Sequence, residues 1–458
     1  MNQIDTIAAI ATGLGNSSIG IVRISGSEAV KIADKVYRSK KVKKRLGSQK
    51  THTIHYGYVY DRDILVDEVM VVIMRGPNSY TTEDTVEINC HGGAFVTNKI
   101  LETVIKHGAR PAEPGEFTKR AFLNGRIDLS KAEAVLDLIE SKNDYALRSS
   151  LLQLSGALYE EIKKMRNEIL YEIAFIESAL DDPEHISTEG YSEKLEVKVE
   201  KLLNKLEKML KDSKNGKILK EGIDTVILGK PNAGKSTFLN LLLGEERAIV
   251  TDLEGTTRDI LKESICLKGI QLNVMDTAGI RNTEDIVEKI GVDRAKECAL
   301  KADLILYVVD TSVPLDINDK EIMNIIKEKN TIILLNKSDL NSVVTRESLL
   351  HLNKKIIWIS AKENIGMEQL EEEIEEMFLE GKINFNDELF LTNMRHIHHI
   401  KEAYESLVLV KESIRDKMTE DFYSIDLMNG YTSLGMIIGE ETGEDVVNEI
   451  FSKFCMGK

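Results

Sequence analysis

Residues Gly229–Ser236, GKPNAGKS, are the most informative part of this sequence for the fold of its central region. It lies between the apolar run 224–228 and the helix-like run 237–243, so it predicts a loop that joins a strand to a helix. Its glycines let backbone N–H groups close around anionic oxygens, Lys235 can reach the β- and γ-phosphates, and the Ser236 hydroxyl can ligate Mg²⁺. A glycine turn that serves packing alone is the disfavoured alternative, because three further nucleotide motifs follow in order.

Each of these three motifs comes directly after a strand-like run. In 276–279, DTAG, Asp276 can hold the metal through water and the Gly279 N–H can sense the γ-phosphate. In 336–339, NKSD, the Asp339 carboxylate can accept hydrogen bonds from the guanine N1–H and amine, which adenine does not offer. The third motif, 360–362, SAK, would support the base. Together they predict GTP rather than ATP.

The loop 251–259, TDLEGTTRD, lies where switch I of small GTPases belongs, and its spacing favours Thr257 as the Mg²⁺ cap. In Ras-like enzymes a glutamine after the DxxG motif orients the attacking water, but this chain has Ile280 there. An aliphatic side chain cannot hold a water. Either the protein barely hydrolyses GTP, or another group and another charge supply what is missing.

We therefore predict one GTP site with Lys235, Thr257 and Asp276 as catalytic residues. The predicted GTP-binding residues are Asn232, Ala233, Gly234, Lys235, Ser236, Thr237, Thr251, Asp252, Leu253, Glu254, Gly255, Thr256, Thr257, Asp276, Thr277, Ala278, Gly279, Asn336, Lys337, Asp339, Ser360, Ala361 and Lys362.

Length, charge and cysteine content limit the number of domains and the kinds of binding site that this chain can contain. A chain of 458 residues should hold about three domains. Its net charge of −16 argues against a uniformly positive nucleic-acid-binding surface, so any RNA contact must be local. Four scattered cysteines without a CxxC pair argue against a disulfide framework and a zinc site. Without a secretory signal or a membrane-spanning run, we expect a cytoplasmic protein.

The patterns along the chain predict three domains of mixed α/β and all-α class. Strand-like runs and one helix place an α+β domain at 1–118. Helical periodicity places a discontinuous helical domain at 119–216 and 382–458, around an inserted Ras-like G domain with a doubly wound sheet at 217–381. One long helix is expected over 151–180, and a second is expected to end at 213–216. The basic cluster 38–45 either contacts a phosphate backbone or is a solvated loop.

Several of these features resemble the MnmE (TrmE) family of tRNA modification GTPases, in the TrmE-Era-EngA-YihA-Septin-like superfamily. They are the phosphate loop with Asn232, the runs 255–259, GTTRD, and 276–281, DTAGIR, the insertion inside a helical domain, and the C-terminal 454–458, FCMGK. The resemblance covers the whole chain.

In that family a K⁺ ion stands in for an arginine finger, and the G domains of two protomers meet across their nucleotides. The resemblance implies that Glu288 positions the attacking water through a bridging water. From the residues alone, Glu288 is simply an acid on a polar helix face. The implied metal ligands are Ser236 and Thr257 for Mg²⁺, and Asn232, Thr251, Leu253 (backbone) and Thr256 for K⁺.

The N-terminal domain of the family resembles folate-binding one-carbon enzymes. The resemblance implies that Arg23, Glu87, Arg126 and the Lys458 region hold 5,10-methylene- or 5-formyl-tetrahydrofolate, with the basic groups on carboxylates and Glu87 on the pterin. By sequence alone each of them could equally form a surface ion pair. A thiol role for Cys455 is an open possibility.

The function implied is that of a homodimeric GTPase that works with an FAD-containing partner of the MnmG (GidA) type, in a heterotetramer or larger complex without a membrane. The two would add a carboxymethylaminomethyl group to C5 of the wobble uridine of certain tRNAs. The alternative is a switch-type GTPase in ribosome assembly, which only regulates partner binding. It explains the nucleotide motifs, but not residues 1–118 or the C-terminal motif.

Overall fold

The computed structural model describes residues 5–13, 15, 17–40, 45–244, 262–275, 297–378 and 391–458. The chain divides into two compact units. The first contains Met1–Ile139, Leu152–Ser187 and Met418–Lys458, and the second contains Glu140–Leu151 and Thr188–Lys417.

The elements are numbered along the described residues. The strands are β1 (Ile7–Ile10), β2 (Ile19–Ser25), β3 (Tyr37–Ser39), β4 (Thr53–Asp61), β5 (Ile64–Met74), β6 (Thr85–His91), β7 (Arg110–Pro111), β8 (Ile223–Leu228), β9 (Lys262–Leu267), β10 (Ile270–Met275), β11 (Leu304–Asp310), β12 (Thr331–Asn336) and β13 (Lys355–Trp358). The helices are α1 (Ala29–Val36), α2 (Ala94–Lys106), α3 (Glu116–Leu123), α4 (Leu129–Glu140), α5 (Asp144–Ser155), α6 (Ala157–Asp181), α7 (Tyr191–Glu221), α8 (Lys235–Leu242), α9 (Ile317–Ile326), α10 (Met367–Phe378), α11 (Met394–Arg415), α12 (Glu420–Ile438) and α13 (Glu444–Ser452).

The first unit is built on a sheet with the strand order β3-β4-β5-β6-β2-β1-β7. Neighbouring strands are antiparallel except β1 and β7, which are parallel. One face carries Val22, Ile24 and Ile88, which belong to a core shared with α1 and α2. Because side chains alternate along a strand, Arg23 and Glu87, which are paired in register, point to the opposite face.

The second unit contains a sheet with the strand order β13-β12-β11-β8-β10-β9. Its strands are parallel except for the edge strand β9, which is antiparallel to β10. Hydrophobic cores lie on both faces: α8 and α10 contribute to one and α9 to the other. Burial on both faces explains why β11 and β12 are buried along their whole length. The predicted doubly wound, Ras-like sheet is confirmed.

The C-terminal helices pack on helices that precede the nucleotide-binding motifs in the chain. Helix α12 packs against α6 in the first unit, and α11 packs against α7 in the second. The buried stripe of α6 includes Leu158, Ile162 and Ile169, whose spacing places them on one helix face.

Two expectations about the helices are wrong. The helix expected over 151–180 is interrupted at Gly156, which adopts a left-handed φ of 100° between α5 and α6. The helix expected to end at 213–216 continues as α7 to Glu221 and ends at Gly222, with φ 79°. A glycine inside a helix costs only about 1 kcal/mol, so neighbouring helix-forming residues carry α7 through Gly216.

The four cysteines are free thiols, as predicted. Among the helices of the described ranges, none combines the length and the apolar character needed to cross a membrane.

Candidate functional site

The phosphate loop occupies the six residues between β8 and α8. Asn232 and Gly234 both have left-handed φ angles, of 63° and 95°. A Cβ atom on Gly234 would lie 2.2 Å from the Asn336 Nδ2 atom, so only glycine fits there. The loop thus turns sharply into the N-terminus of α8, where backbone N–H groups and the helix dipole favour an anion.

Lys235 lies at the first position of α8. Its ammonium donates to the carbonyl oxygens of Gly229 at 2.7 Å and Lys230 at 2.9 Å. Burial lowers its pKa below the ordinary lysine value. This partly buried cation contacts two neutral carbonyls and would gain from an anionic partner, so the donor set fits a nucleotide phosphate. Ser236 and Thr237 follow it in the first turn of α8, where the predicted Mg²⁺ ligand Ser236 belongs.

Asn336 joins three of the predicted motifs. It is 2 % exposed at the end of β12, and its Nδ2 donates to the Ala233 carbonyl at 2.9 Å. Its Oδ1 accepts from the Ala361 N–H at 3.1 Å. The NKSD and SAK motifs are therefore hydrogen-bonded to the phosphate loop through one buried side chain. Sequence reasoning placed Asn336 in the site but did not identify this structural role.

Ser360 and Lys337 each contact an aspartate at the end of the site where the base is expected to bind. The Ser360 hydroxyl donates to Asp339 Oδ1 at 2.7 Å, and this hydrogen bond lowers the pKa of Asp339. Asp339 is therefore an ionised acceptor, as guanine recognition requires. Lys337 has a φ of 65° and pairs with Asp310 at 2.5 Å. Burial raises the pKa of Asp310, but Lys337 and Ser312 lower it more. Lys362, the last residue of the SAK motif, directly follows Ala361.

A buried ion pair made by Lys230 of the phosphate loop was missed by sequence reasoning. Lys230 is 9 % exposed and lies 3.0 Å from Asp319, which is fully buried and also accepts from the Tyr307 hydroxyl at 2.8 Å. Asp316 caps α9 and lies 3.4 Å from Lys230. The only sequence signal is the pair of aspartates three residues apart, which forms a capping box at the start of α9.

The remaining predicted nucleotide and metal residues lie outside the described part of the chain. They are Thr251, Asp252, Leu253, Glu254, Gly255, Thr256, Thr257, Asp276, Thr277, Ala278, Gly279 and Glu288, and Ile280 is among the same segments. Within the described part, the predicted residues of the phosphate loop, NKSD and SAK motifs meet at the carboxyl edge of the second sheet, where such folds bind ligands.

A second site lies on the open face of the first sheet. Arg23 Nε donates to Glu87 Oε1 at 2.8 Å, and the side chains are 18 % and 19 % exposed. The Arg23 Nη1 atom donates to the Gly457 carbonyl at 3.2 Å. A Cβ atom on Gly457 would lie 2.2 Å from the Ile10 carbonyl oxygen, so this glycine lets the C-terminal segment approach β1. Arg23, Glu87 and the C-terminal segment are therefore brought together.

Aromatic rings complete this second site. The Arg23 guanidinium carbon lies 5.7 Å from the Tyr80 ring centroid and 5.6 Å from that of Phe117. Arg126 lies 4.8 Å from the Tyr80 centroid and donates to the Tyr80 carbonyl at 3.1 Å. Tyr80 and Phe117 were missed, because the loop before β6 and the start of α3 show no pattern that marks them. Two guanidiniums, one carboxylate and two rings suit a flat, anionic ligand.

The C-terminal segment is held by backbone hydrogen bonds. The Phe117 N–H donates to the Lys458 carbonyl at 3.1 Å, and the Gly115 N–H donates to the Cys455 carbonyl at 3.4 Å. Cys455 is exposed, two residues before the glycine that binds Arg23. The segment is anchored, while its thiol remains accessible.

The chain matches two family profiles. The profile described as "GTP-binding protein TrmE N-terminus" matches residues 6–126, and the one described as "MnmE helical domain" matches residues 129–455. The curated "tRNA modification GTPase MnmE" of Lachnoclostridium phytofermentans is 56 % identical over 455 residues, covering 99 % of each chain. The proteins of the same name from Alkaliphilus metalliredigens and Clostridioides difficile are 47 % and 46 % identical, again over 99 % of each chain.

Full-length identity at this level agrees with the site geometry, in which the NKSD and SAK motifs converge on the phosphate loop. The chain therefore belongs to the MnmE family of tRNA modification GTPases.

Proposed function

We propose that this GTPase, together with an FAD-containing partner of the MnmG (GidA) type, adds a carboxymethylaminomethyl group to C5 of the wobble uridine of certain tRNAs. The single observation that carries the GTPase part is the Asn336 bridge, which assembles the phosphate loop, NKSD and SAK motifs into one site. We propose a tetrahydrofolate derivative as the source of the one-carbon unit and the cytoplasm as the place of action.

The described residues prepare GTP for attack in two ways. Lys235 and the N-terminus of α8 neutralise and orient the phosphates, and Asp339 fixes the guanine. Two cations would supply positive charge where negative charge develops on the oxygens of the transferred phosphoryl group. Mg²⁺ would be held by Ser236 and Thr257, and K⁺ by Asn232, Thr251, Leu253 and Thr256. Glu288 would orient the attacking water, a task that Ile280 cannot perform.

The K⁺ role is tested by comparing the rate of GTP hydrolysis in K⁺ and in Na⁺. We expect the rate in K⁺ to be at least about tenfold higher, since a fixed positive charge at the transition state is worth that much or more. The variant Asn232→Gly removes the side-chain oxygen but tolerates the left-handed φ of 63° at this position, and it should lose the K⁺ response. Equal wild-type rates in the two ions would contradict the proposal.

The folate part is supported by the second site, where Arg23, Glu87 and Arg126 surround Tyr80 and the C-terminal segment. The guanidiniums suit the carboxylates of a 5,10-methylene- or 5-formyl-tetrahydrofolate, and Glu87 suits the donor edge of its pterin. The exposed Cys455 thiol lies in the same segment, and a role for it in group transfer is part of the proposal.

Titration of the full chain with 5-formyl-tetrahydrofolate separates this function from the switch-type alternative. We expect saturable binding that Arg23→Ala weakens, while a protein that only toggles partner affinity should bind no folate at all. Binding that persists unchanged in Arg23→Ala and Glu87→Gln would place the folate elsewhere.

The proposed assembly is a homodimer that forms a heterotetramer or larger complex with its FAD partner and contacts tRNA locally. One exposed surface supports a second copy: on the open face of β4 and β5, Ile54, Tyr56 and Met70 are 65 %, 48 % and 43 % exposed. Exposed apolar side chains beside charged ones, here Glu68 and Lys40 on Tyr56, suit a protein interaction surface of mixed character. Light scattering of Tyr56→Glu, which places a charge in that surface, tests this assignment, and an unchanged dimer would refute it.

We also propose the domain division 1–118, 119–216 with 382–458, and 217–381. The profile matches to residues 6–126 and 129–455 support a boundary close to the first of these limits.

A further inference from the structure

One turn of α11 carries two imidazoles and a carboxylate whose ligand atoms all lie within 4.8 Å of one another. The His398 Nε2 atom is 3.3 Å from Glu402 Oε1, and the His399 Nδ1 atom is 2.9 Å from Glu402 Oε2. Residues three and four apart are neighbours on a helix surface, so the helix itself sets this convergence. The nucleotide and Arg23 sites use none of these residues.

The two histidine–carboxylate separations, 3.3 Å and 2.9 Å, are close to those that a metal ion requires. Ligand atoms about 2.0–2.1 Å from one tetrahedral Zn²⁺ lie roughly 3.3 Å from each other. We propose that His398, His399 and Glu402 form a binding site for a divalent transition metal ion. Zn²⁺ is the ion that best suits these ligands. Imidazole nitrogens select this class of ion, whereas Mg²⁺ and Ca²⁺ prefer sites made of oxygen ligands.

The exposure of the three side chains suits such a site. His398 and Glu402 are 66 % and 44 % exposed, so an ion can reach them from solvent. His399 is only 19 % exposed, so packing restricts one of the ligands before the ion arrives. Three protein ligands leave the fourth position of a tetrahedral ion for water.

Another histidine–carboxylate pair in the chain is a control for the possibility that the contacts on α11 are ion pairs without a metal. His185 lies 2.8 Å from Asp182, three residues before it, with side chains that are 77 % and 54 % exposed. Among the described residues, no third ligand joins this pair. If the contacts on α11 were only surface ion pairs, the two histidine–carboxylate groups would respond to Zn²⁺ in the same way.

The experiment is a Zn²⁺ titration of the metal-free full chain against a chromophoric chelator. Excess Mg²⁺ and GDP block the nucleotide site, and alkylation blocks the thiols. We expect one Zn²⁺ per chain, and His398→Asn, His399→Asn and Glu402→Gln should each weaken binding by at least about tenfold, because even outer-shell changes have effects of that size. His185→Asn should bind as the wild type does.

Co²⁺ gives an independent readout that loss of folding cannot imitate. In the wild type it should show the intense visible absorption of a tetrahedral site, and each of the three variants, with an unchanged far-ultraviolet circular dichroism spectrum, should lose that absorption. Wild-type affinity in the three variants, or an equal loss in His185→Asn, would overturn the proposal.

Discussion

The nucleotide site and the Arg23 site differ in how their residues are distributed along the chain. In the described part of the nucleotide site, the partners come in short contiguous motifs, each at the end of a strand or the start of a helix. The Arg23 site consists of single residues, and its hydrogen bond from Arg23 to the Gly457 carbonyl spans 434 positions.

This difference decides what substitutions should do. A contiguous motif concentrates many contacts in one loop, so loss of the charged residue of the phosphate loop, Lys235, should remove most of the function. In the Arg23 site the contacts come from separate elements, namely β2, β6, α3 and the C-terminal segment, so single changes should weaken binding without abolishing it. Substitutions in the two sites therefore test this contrast.

Lys235→Ala should reduce GTP hydrolysis by about 10²–10³-fold, because it removes a cation from the phosphate loop where negative charge develops. The measurement is the rate of phosphate release at saturating GTP. Lys320→Ala, which removes an exposed lysine from α9, is the matched control and should leave the rate unchanged. A loss of less than tenfold would show that Lys235 is not the main phosphate ligand.

Lys230→Met should destabilise the second unit by about 3 kcal/mol, because it leaves the buried Asp319 without its cation. Burial lowers the pKa of Lys230, but the hydrogen bonds that its ammonium donates to Asp319 and Asp316, together with the charges of these two carboxylates, raise it more in sum, so the net shift is upward. The ion pair therefore stabilises the fold below the ordinary lysine pKa of about 10.4 and is lost as the pH rises through the folded-state value.

Denaturant unfolding of wild type, Lys230→Met and the surface control Lys320→Met at neutral pH provides the test. If both variants unfolded at the same denaturant concentration as the wild type, the ion pair would be of no consequence for stability.

Arg23→Ala should raise the dissociation constant for 5-formyl-tetrahydrofolate by about tenfold or more, the typical effect of removing a charged hydrogen-bond donor. Hydrolysis of GTP should be unchanged. Arg38→Ala, which removes an arginine that stacks on Tyr60 at 4.2 Å in the same unit, should leave folate binding intact. Equal losses in the two variants would indicate a general effect of charge.

Ser360→Ala should weaken GTP binding by about two- to tenfold, the effect of losing one hydrogen bond. The Ser360 hydroxyl keeps the pKa of Asp339 low, so its loss lets that pKa rise. Because the base is bound by the ionised carboxylate, acidification should abolish GTP binding at a higher pH in the variant than in the wild type. Fluorescent-nucleotide titrations between neutral and acidic pH measure this shift, with Ser348→Ala as the control.

The same contrast explains which parts could be predicted from sequence. Parallel strands buried on both faces have strong local patterns, so the second sheet was predicted correctly. The phosphate loop, NKSD and SAK motifs, each predicted next to a strand, lie together at its carboxyl edge. Tyr80 and Phe117 carry no such pattern, because their role arises only when distant segments pack together. The predicted C-terminal end of α7 was wrong for a related reason. A glycine such as Gly216 ends a helix only when the residues after it favour another conformation.

Helix α7 has a mechanical consequence. With 31 residues it is about 46 Å long, and only Gly222 separates it from β8, the strand that leads into the phosphate loop. A pivot of about 10° at that glycine would carry the opposite tip of the rod through about 8 Å, given this length. The length of the helix therefore relates a small angle at Gly222 to a large distance at Tyr191, the first residue of the helix.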